Sequence, residues 1–353
     1  LRGAYGDAVA TGGEGHDPIW GGRGDDAHAG NRGKDVIRRE GGTDNARGGT
    51  GTDPWAAEQE FTCERDPKIP GPQVDWVMPD RYGDRSSDGL IRPTGKVYPN
   101  RFTVDFSLRH GDGSKCSGED TVEATSSRGR FRSLGRCRIR GRFPEGTHRV
   151  GFTLTTDEGR GRTSVDVVVQ DWLIVGIGDS NGSGEGTPDQ PGGDAARWVD
   201  EQCHRSANSH QALSARKLER RDEKTSVTFV HLACSGARID VGLLEGYAGI
   251  VPGDRLPPQL DRLYGIATRR EVDAVFISIG VNDVRFGDVV EFCVKWRDCP
   301  NTTWETFGSE TLDQVMTRLL GELPVLYDQL DRRLDRAGIR PDRVYITEYF
   351  DST

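Results

Sequence analysis

Aspartate returns every nine residues near the start of this chain, at Asp17, Asp26, Asp35, Asp44 and Asp53. Gly15, Gly24, Gly33, Gly42 and Gly51 keep the same interval two positions earlier, and Gly12, Gly21, Gly30 and Gly48 open most of the repeats. A fixed period of this kind is the mark of a solenoid, and it excludes an ordinary amphipathic helix over residues 1–56. Composition alone would call the segment disordered, because it has almost no hydrophobic content. The spacing argues otherwise and gives the pattern Gly-Gly-x-Gly-x-Asp-x-apolar-x. A parallel β-roll is expected, with a solvated Gly-rich linker as the alternative. Glycines permit its tight turns, and stacked aspartates with turn carbonyls form oxygen cages suited to Ca2+.

The segment resembles the RTX-type calcium-binding repeats of secreted bacterial proteins. That resemblance implies structural Ca2+ held by Asp17, Asp26, Asp35, Asp44 and Asp53. The apolar position departs from it, holding Ile19, His28, Ile37, Ala46 and Trp55, and Arg39-Glu40 replace the first two glycines of one repeat. His28 and Ala46 are expected to weaken the thin core, with the loss of some calcium sites.

Residues 57–170 change character. Pro67, Pro70, Pro72, Pro79 and Pro93 punctuate the first part, and alternating apolar and polar runs follow at 101–108, 149–155 and 163–169. Such runs joined by short turns predict antiparallel strands in a β-sandwich. The stretch from Phe143 to Val169 resembles the closing hairpin of an Ig-like or PKD-like domain.

From residue 171 the pattern becomes strand, helix, strand, which predicts a parallel, doubly wound α/β sheet. Helices are expected at 212–221 and 257–270, and strands at 225–234, 272–280 and 343–349. A long amphipathic helix carries Leu312, Val315, Met316, Leu319, Leu320, Leu323, Leu326, Leu330 and Leu334. Pro324 is expected to kink it, and Gly338 to end it.

Three strand ends in this part carry chemistry. The apolar run Trp172–Ile177 stops at Gly178-Asp179-Ser180; the strand before Cys234 runs into Ser235-Gly236; Val275–Ile279 runs into Gly280-Val281-Asn282-Asp283. In an open α/β sheet, ligands bind at the carboxyl edge of the strands. Ser180 supplies a nucleophile, while Gly236 N–H and the Asn282 amide offer donors to an oxyanion. These three blocks resemble those of the SGNH (GDSL-type) hydrolases. The resemblance implies a flavodoxin-like three-layer fold and catalytic roles for Ser180, Gly236 and Asn282. Cys203-His204-Arg205-Ser206 and Ala233-Cys234-Ser235-Gly236-Ala237 are similar to the disulfide-containing secreted lipase/esterase branch, implying Cys203–Cys234 and Cys293–Cys299 bridges. Asn181 departs from the family, which has an apolar or aromatic residue there. The family's Asp-x-x-His block, source of the general base, is absent, and the chain ends at Asp351-Ser352-Thr353. A C-terminally truncated fragment with its base missing is therefore expected. His204 and His231 are weak substitutes, and His16, His28, His110 and His148 are expected to be solvated.

The seven cysteines form no Cys-x-x-Cys pair, which argues against a zinc knuckle. Pairs such as Cys116/Cys137 and Cys293/Cys299 suit disulfides and a secreted, oxidising location, with Cys63 left over. The net charge of −9 disfavours nucleic acid and suits a cation partner. No apolar stretch is long enough to span a membrane. The expected function is ester hydrolysis of a small-molecule, lipid or carbohydrate ester, with no cofactor for the chemistry and structural Ca2+ in the repeats. The alternatives are an acyltransferase or carbohydrate deacetylase on the same fold, or a calcium-dependent surface or adhesion protein with an inactive hydrolase domain.

Overall fold

The computed structural model describes residues 6–38, 44–50, 55–56, 59–60, 69–85, 91–93, 97–192, 196–251, 253–347 and 349. Asp53 and Cys63 lie outside the described residues. The chain divides into two compact units. One holds Leu1–Trp76, Thr103–Phe143 and Thr147–Val167; the other holds Val77–Phe102, Pro144–Gly146 and Val168–Thr353.

In the first unit the repeats form short strands: β1 (Val9–Glu14), β2 (Pro18–Trp20), β3 (Ala27–Arg32), β4 (Val36–Arg38), β5 (Asn45–Arg47), β6 (Trp55–Ala56) and β7 (Gln59–Glu60). They alternate between two sheets, ordered β1-β3-β5-β7 and β2-β4-β6, and every pairing is parallel. Val9 pairs with Ala27 and Pro18 with Val36, so a strand meets its neighbour two repeats on. The aspartates carry this spacing. The N–H groups of Ala8, Asp17 and Asp26 donate to Oδ1 of Asp26, Asp35 and Asp44, each 18 residues ahead, at 2.8–2.9 Å. Ile19, Ile37 and Ala46 are buried together, with Ala10 against them.

His28 differs from expectation. It is buried, at 4% exposure, because it sits in register with Ala10 and Ala46 on β3 and so takes the inward position of its repeat. His148, also expected at the surface, is 6% exposed and packs on the Phe143 ring at 5.1 Å between centroids.

The remainder of this unit contains antiparallel pairs. After β8 (Gln73–Val77) the chain leaves for a hairpin of the second unit, β9 (Tyr82–Arg85) and β10 (Ile91–Pro93). It returns in β11 (Phe102–Arg109), β12 (Thr121–Thr125), β13 (Arg130–Gly135), β14 (Arg138–Phe143), β15 (Gly146–Thr156) and β16 (Gly159–Gly178). One sheet runs β13-β14-β11-β8, and β12-β15-β16 make the start of another. Alternation decides which side chains face inward: Phe102, Val104, Phe106 and Leu108 of β11 are buried. Phe106 meets Phe152 of the other sheet at 5.1 Å between centroids. A disulfide joins Cys116 and Cys137.

The second unit takes β16 from Val168 onward. It adds α1 (Ser180–Ser183), α2 (His210–Glu219), β17 (Thr225–His231), α3 (Gln259–Ala267), β18 (Ala274–Ser278), α4 (Phe286–Lys295), α5 (Leu312–Arg336) and β19 (Val344–Ile346). The strands run parallel in the order β17-β16-β18-β19. Leu173, Val175 and Ile177 pack with Leu260 and Leu263 of α3 and Leu330 and Leu334 of α5. Ile174, on the other side of the pleat, packs with Ala212 and Ala215 of α2. Helices therefore cover both faces, which explains why β16 ends in an unbroken apolar run.

Local chemistry sets the helix limits. Ser209 Oγ caps α2, and Thr311 with Gln314 forms a capping box on α5. Gly338, at φ +72°, closes α5 through Gly338 N–H to Asp335 O and Ile339 N–H to Leu334 O. The helix is continuous through Pro324, where the neighbouring Leu320 and Val325 are exposed. No helix among the described residues is long and apolar enough to cross a membrane.

Candidate active site

Strand order places the three sequence blocks. Of the four parallel strands, the first in sequence, β16, lies between the next two, β17 and β18. The chain thus leaves β16 and β18 toward opposite sides of a topological switch point, where ligands bind in such sheets. Ser180 follows β16, and Asn282 follows β18.

The turn after β16 is tightly held. Gly178 adopts φ +139°, and a Cβ there would fall 2.0 Å from Ser278 O, so only glycine fits. Buried Gln259, the first residue of α3, clasps it: Gly178 N–H donates to Gln259 Oε1 at 2.8 Å, and Gln259 Nε2 donates to Gly178 O at 2.9 Å. Asp179 N–H then donates to Ser278 O at 2.8 Å. Asp179 caps α1 by accepting from Asn181 N–H at 3.0 Å. Ser180 O accepts from Gly184 and Glu185 N–H. The Ser180 side chain is half-buried, and its hydroxyl makes no hydrogen bond among the described residues. Asn181 Nδ2 donates to Ser278 Oγ at 3.0 Å, so its side chain lies along the end of β18.

The second loop is pinned by the Cys203–Cys234 disulfide and by Cys234 N–H to Gly178 O at 3.0 Å. Arg205 reinforces it, pairing with Asp200 at 2.6 Å and reaching the carbonyls of Leu232 and Ala233. Gly236 has φ +79°, and a Cβ on it would meet Tyr247 Oη at 2.4 Å. The third loop leans on the second. Asn282 Nδ2 donates to Ala237 O at 2.9 Å, and Ile239 N–H donates to Asp283 Oδ1 at 3.0 Å. The Cys293–Cys299 disulfide follows. An apolar cleft of about 250 Å³, lined by Val281, Val284, Leu320, Leu323 and Tyr327, borders this loop.

Two carboxyls here are displaced upward. Burial pushes Asp179 from the ordinary 3.8 to about 6, against the opposing hydrogen bond from Tyr349 Oη. Asp283 is likewise raised to about 6, chiefly by burial. Tyr349, pressed between burial and Asp179, is held well above the usual phenol range, and its oxygen accepts from Val281 N–H at 3.4 Å.

The histidines divide by partner. His231 donates Nε2–H to Gly182 O at 2.9 Å and is driven down to about 4 by burial. His204 donates Nδ1–H to Glu185 at 3.0 Å and stacks on Trp198 at 4.2 Å. His210, which the sequence reading passed over, opens α2 beside the Asn181 backbone, and burial lowers it. Its Nε2 lies 3.3 Å from Thr347 Oγ1. Its signal in the sequence was position: it directly follows the cap Ser209. Tyr349 and Gln259 also went unread.

The aspartates of the repeats belong to the other unit. Asp26, Asp35 and Asp44 are buried. Oδ2 of Asp17 and of Asp26 is buried without a hydrogen-bond partner. His110, Cys116 and Asp120 also approach one another, but the Cys116 sulfur is committed to its disulfide.

No family model matches the chain, and no curated protein matches it significantly. Among solved structures it is similar to an extracellular lipase from Streptomyces rimosus, at 24% identity and TM-score 0.31, over 50% of this chain and 58% of that one. It is also similar to phospholipase A1 from Streptomyces albidoflavus NA297, at 18% identity and TM-score 0.28, over 50% and 57%. The chain thus spans just over half the length of each protein.

Proposed function

We propose that the second unit is a secreted serine esterase of the SGNH (GDSL-type) kind, hydrolysing carboxylic esters. The observation that carries this reading is the linkage of three strand-end loops at one sheet edge: Cys234 N–H to Gly178 O, Asn282 to Ala237, and Asp179 N–H to Ser278 O. In this reading Ser180 Oγ bonds to the ester carbonyl carbon, and its proton passes to a general base. The oxyanion is met by the N–H groups of Ser180 and Gly236 and by Asn282 Nδ2. One hydrogen of the Asn282 amide is held by Ala237 O, and a primary amide has a second to give. Collapse expels the alcohol, which takes the proton from the base; water then gives a proton to the base and attacks the acyl carbon, and that proton returns to Ser180 Oγ as the acid leaves.

His231 and His204 are engaged with Gly182 O and Glu185, so neither is assigned as base. In the family resemblance the role of base falls to an Asp-x-x-His block, and no histidine among the described residues is assigned to it. The apolar cleft beside Val281 is assigned to the acyl chain. Activity of the protein on p-nitrophenyl esters of increasing acyl length tests the reading. Ser180→Ala should lower kcat by at least about 10³-fold. Unchanged hydrolysis in that variant would remove Ser180 as nucleophile.

The nonapeptide segment is assigned structural Ca2+. The fit test is favourable: a Cβ on Gly12 would lie 2.7 Å from Asp17 Oδ2 and 2.8 Å from Gly30 O, and that Oδ2 is buried without a partner. Carboxylate and carbonyl oxygens facing one space are the donors Ca2+ prefers. Asp17, Asp35 and Asp44 would hold the ion, with Asp53 continuing the series.

A further inference from the structure

We propose that Asp26 and His28, facing each other over Gly21, form a binding site for a transition-metal dication of the Zn2+ class. It interrupts a row of oxygen-lined spaces. Over Gly12, a Cβ would meet Asp17 Oδ2 and Gly30 O; over Gly30, it would meet Asp35 Oδ2 and Gly48 O. Both spaces present two oxygens. Over Gly21 the neighbours are Asp26 Oδ2 at 2.6 Å and His28 Nε2 at 2.9 Å. One oxygen has been exchanged for an imidazole nitrogen.

Both side chains keep buried polar atoms with no hydrogen-bond partner. Asp26 is 1% and His28 4% exposed. Asp26 Oδ1 accepts from Ala8 N–H, which leaves Oδ2 without a hydrogen-bond partner, and both ring nitrogens of His28 are unpartnered as well. Buried polar atoms are ordinarily satisfied, and an unsatisfied pair aimed at one space points to a missing ligand. Oxygen-seeking Ca2+ gains nothing from imidazole, whereas Zn2+, Ni2+, Co2+ and Cu2+ take imidazole and carboxylate together. The local frame also permits it. His28 pairs with Ala10 and Ala46 on either side, small residues that leave its ring unobstructed along the sheet.

The inference stands on the geometry of β3 and does not require Ca2+ in the other turns. It is tested on the full chain by calorimetric titration with Zn2+, in saturating Ca2+ and in its absence. Two variants accompany it. His28→Ile places at this position the residue found at Ile19 and Ile37, and Gly21→Ala leaves both ligand residues unsubstituted while its Cβ fills the space between Asp26 Oδ2 and His28 Nε2. We expect His28→Ile to lose one Zn2+ per chain and Gly21→Ala to weaken that site at least about tenfold. Both should keep the Ca2+ isotherm of the unaltered protein, and Co2+ should give a visible d–d band only when His28 is present. The proposal is overturned if the unaltered protein binds no Zn2+, if Ca2+ displaces all of it, or if His28→Ile keeps the full stoichiometry. Should His28→Ile disturb the far-ultraviolet dichroism, Gly21→Ala decides alone, and an unchanged Zn2+ affinity there overturns the site. A failed Ca2+ titration would count against the oxygen-lined turns, not against this pair.

Discussion

Asp179 shows what the turn before Ser180 costs. Its carboxyl is fully buried, caps α1, and accepts from Tyr349, yet it is pushed up to about 6. A carboxyl that binds its proton more tightly when folded contributes stability that is complete below pH 4 and lost as pH rises through 6. The displacement from 3.8 to about 6 corresponds to about 3 kcal/mol at about 1.36 kcal/mol per pH unit. Asp179 should therefore lower the stability measured by urea unfolding as pH rises from 4 to 6.5, against the opposite contribution of buried His231, which is driven down to about 4. Asp179→Asn should remove up to about 3 kcal/mol of that fall, leaving the part due to Asp283, and an identical slope in the variant would refute the assignment. The position of Ser180 was readable from the apolar run before it. The contacts of Asp179 were not, because Tyr349 lies 170 residues away and no local pattern encodes such a meeting. His28 was misread for a related reason: a histidine in a polar segment looks solvated until the strand's register turns it inward. For Asn282, the sequence suggested a donor but not that Ala237 O already holds one of its hydrogens.

Elements were most legible where one period dominates. β17, β18 and β19 fell within the runs predicted for them, whereas the β9–β10 hairpin was not anticipated and β16 reaches back to Gly159; α5 begins at Leu312 as its leucine spacing implied. Its start is secured by the Thr311–Gln314 box, so Thr311→Ala should cost about 1 kcal/mol in chemical denaturation. A change within error would mean that packing of Leu330 and Leu334 alone holds the helix. By contrast α4 was not anticipated. None of its residues is buried, so the mixed run Phe286–Lys295 lacks the strong inward stripe that reveals a helix. The short strands of the repeats were implied by their period rather than by hydrophobic alternation, which is too sparse there to mark a strand. The three disulfides among the described residues join pairs that the sequence had suggested, and Cys203–Cys234 secures the loop that bears Gly236.

At the scale of the whole molecule, the proposed Ca2+ would bind a chain of net charge −9. That charge and the aspartate ladder of the first unit both favour cations over the bare chain. Saturating Ca2+ at about 100 times its Kd should stabilise the folded state by about 2.7 kcal/mol, and chelation should reverse it. A Ca2+ titration that leaves both dichroism and melting unaltered would remove calcium from this account. The parallel pairing of residues 18 apart also governs how the segment can change over generations. Inserting or deleting one repeat would send every later strand to the opposite sheet, with its inward side chains meeting unaccustomed neighbours. Inserting or deleting two repeats would return each strand to its own sheet. The segment can thus lengthen or shorten by duplication and loss only in paired steps, while a single-residue slip anywhere in it would misalign everything downstream.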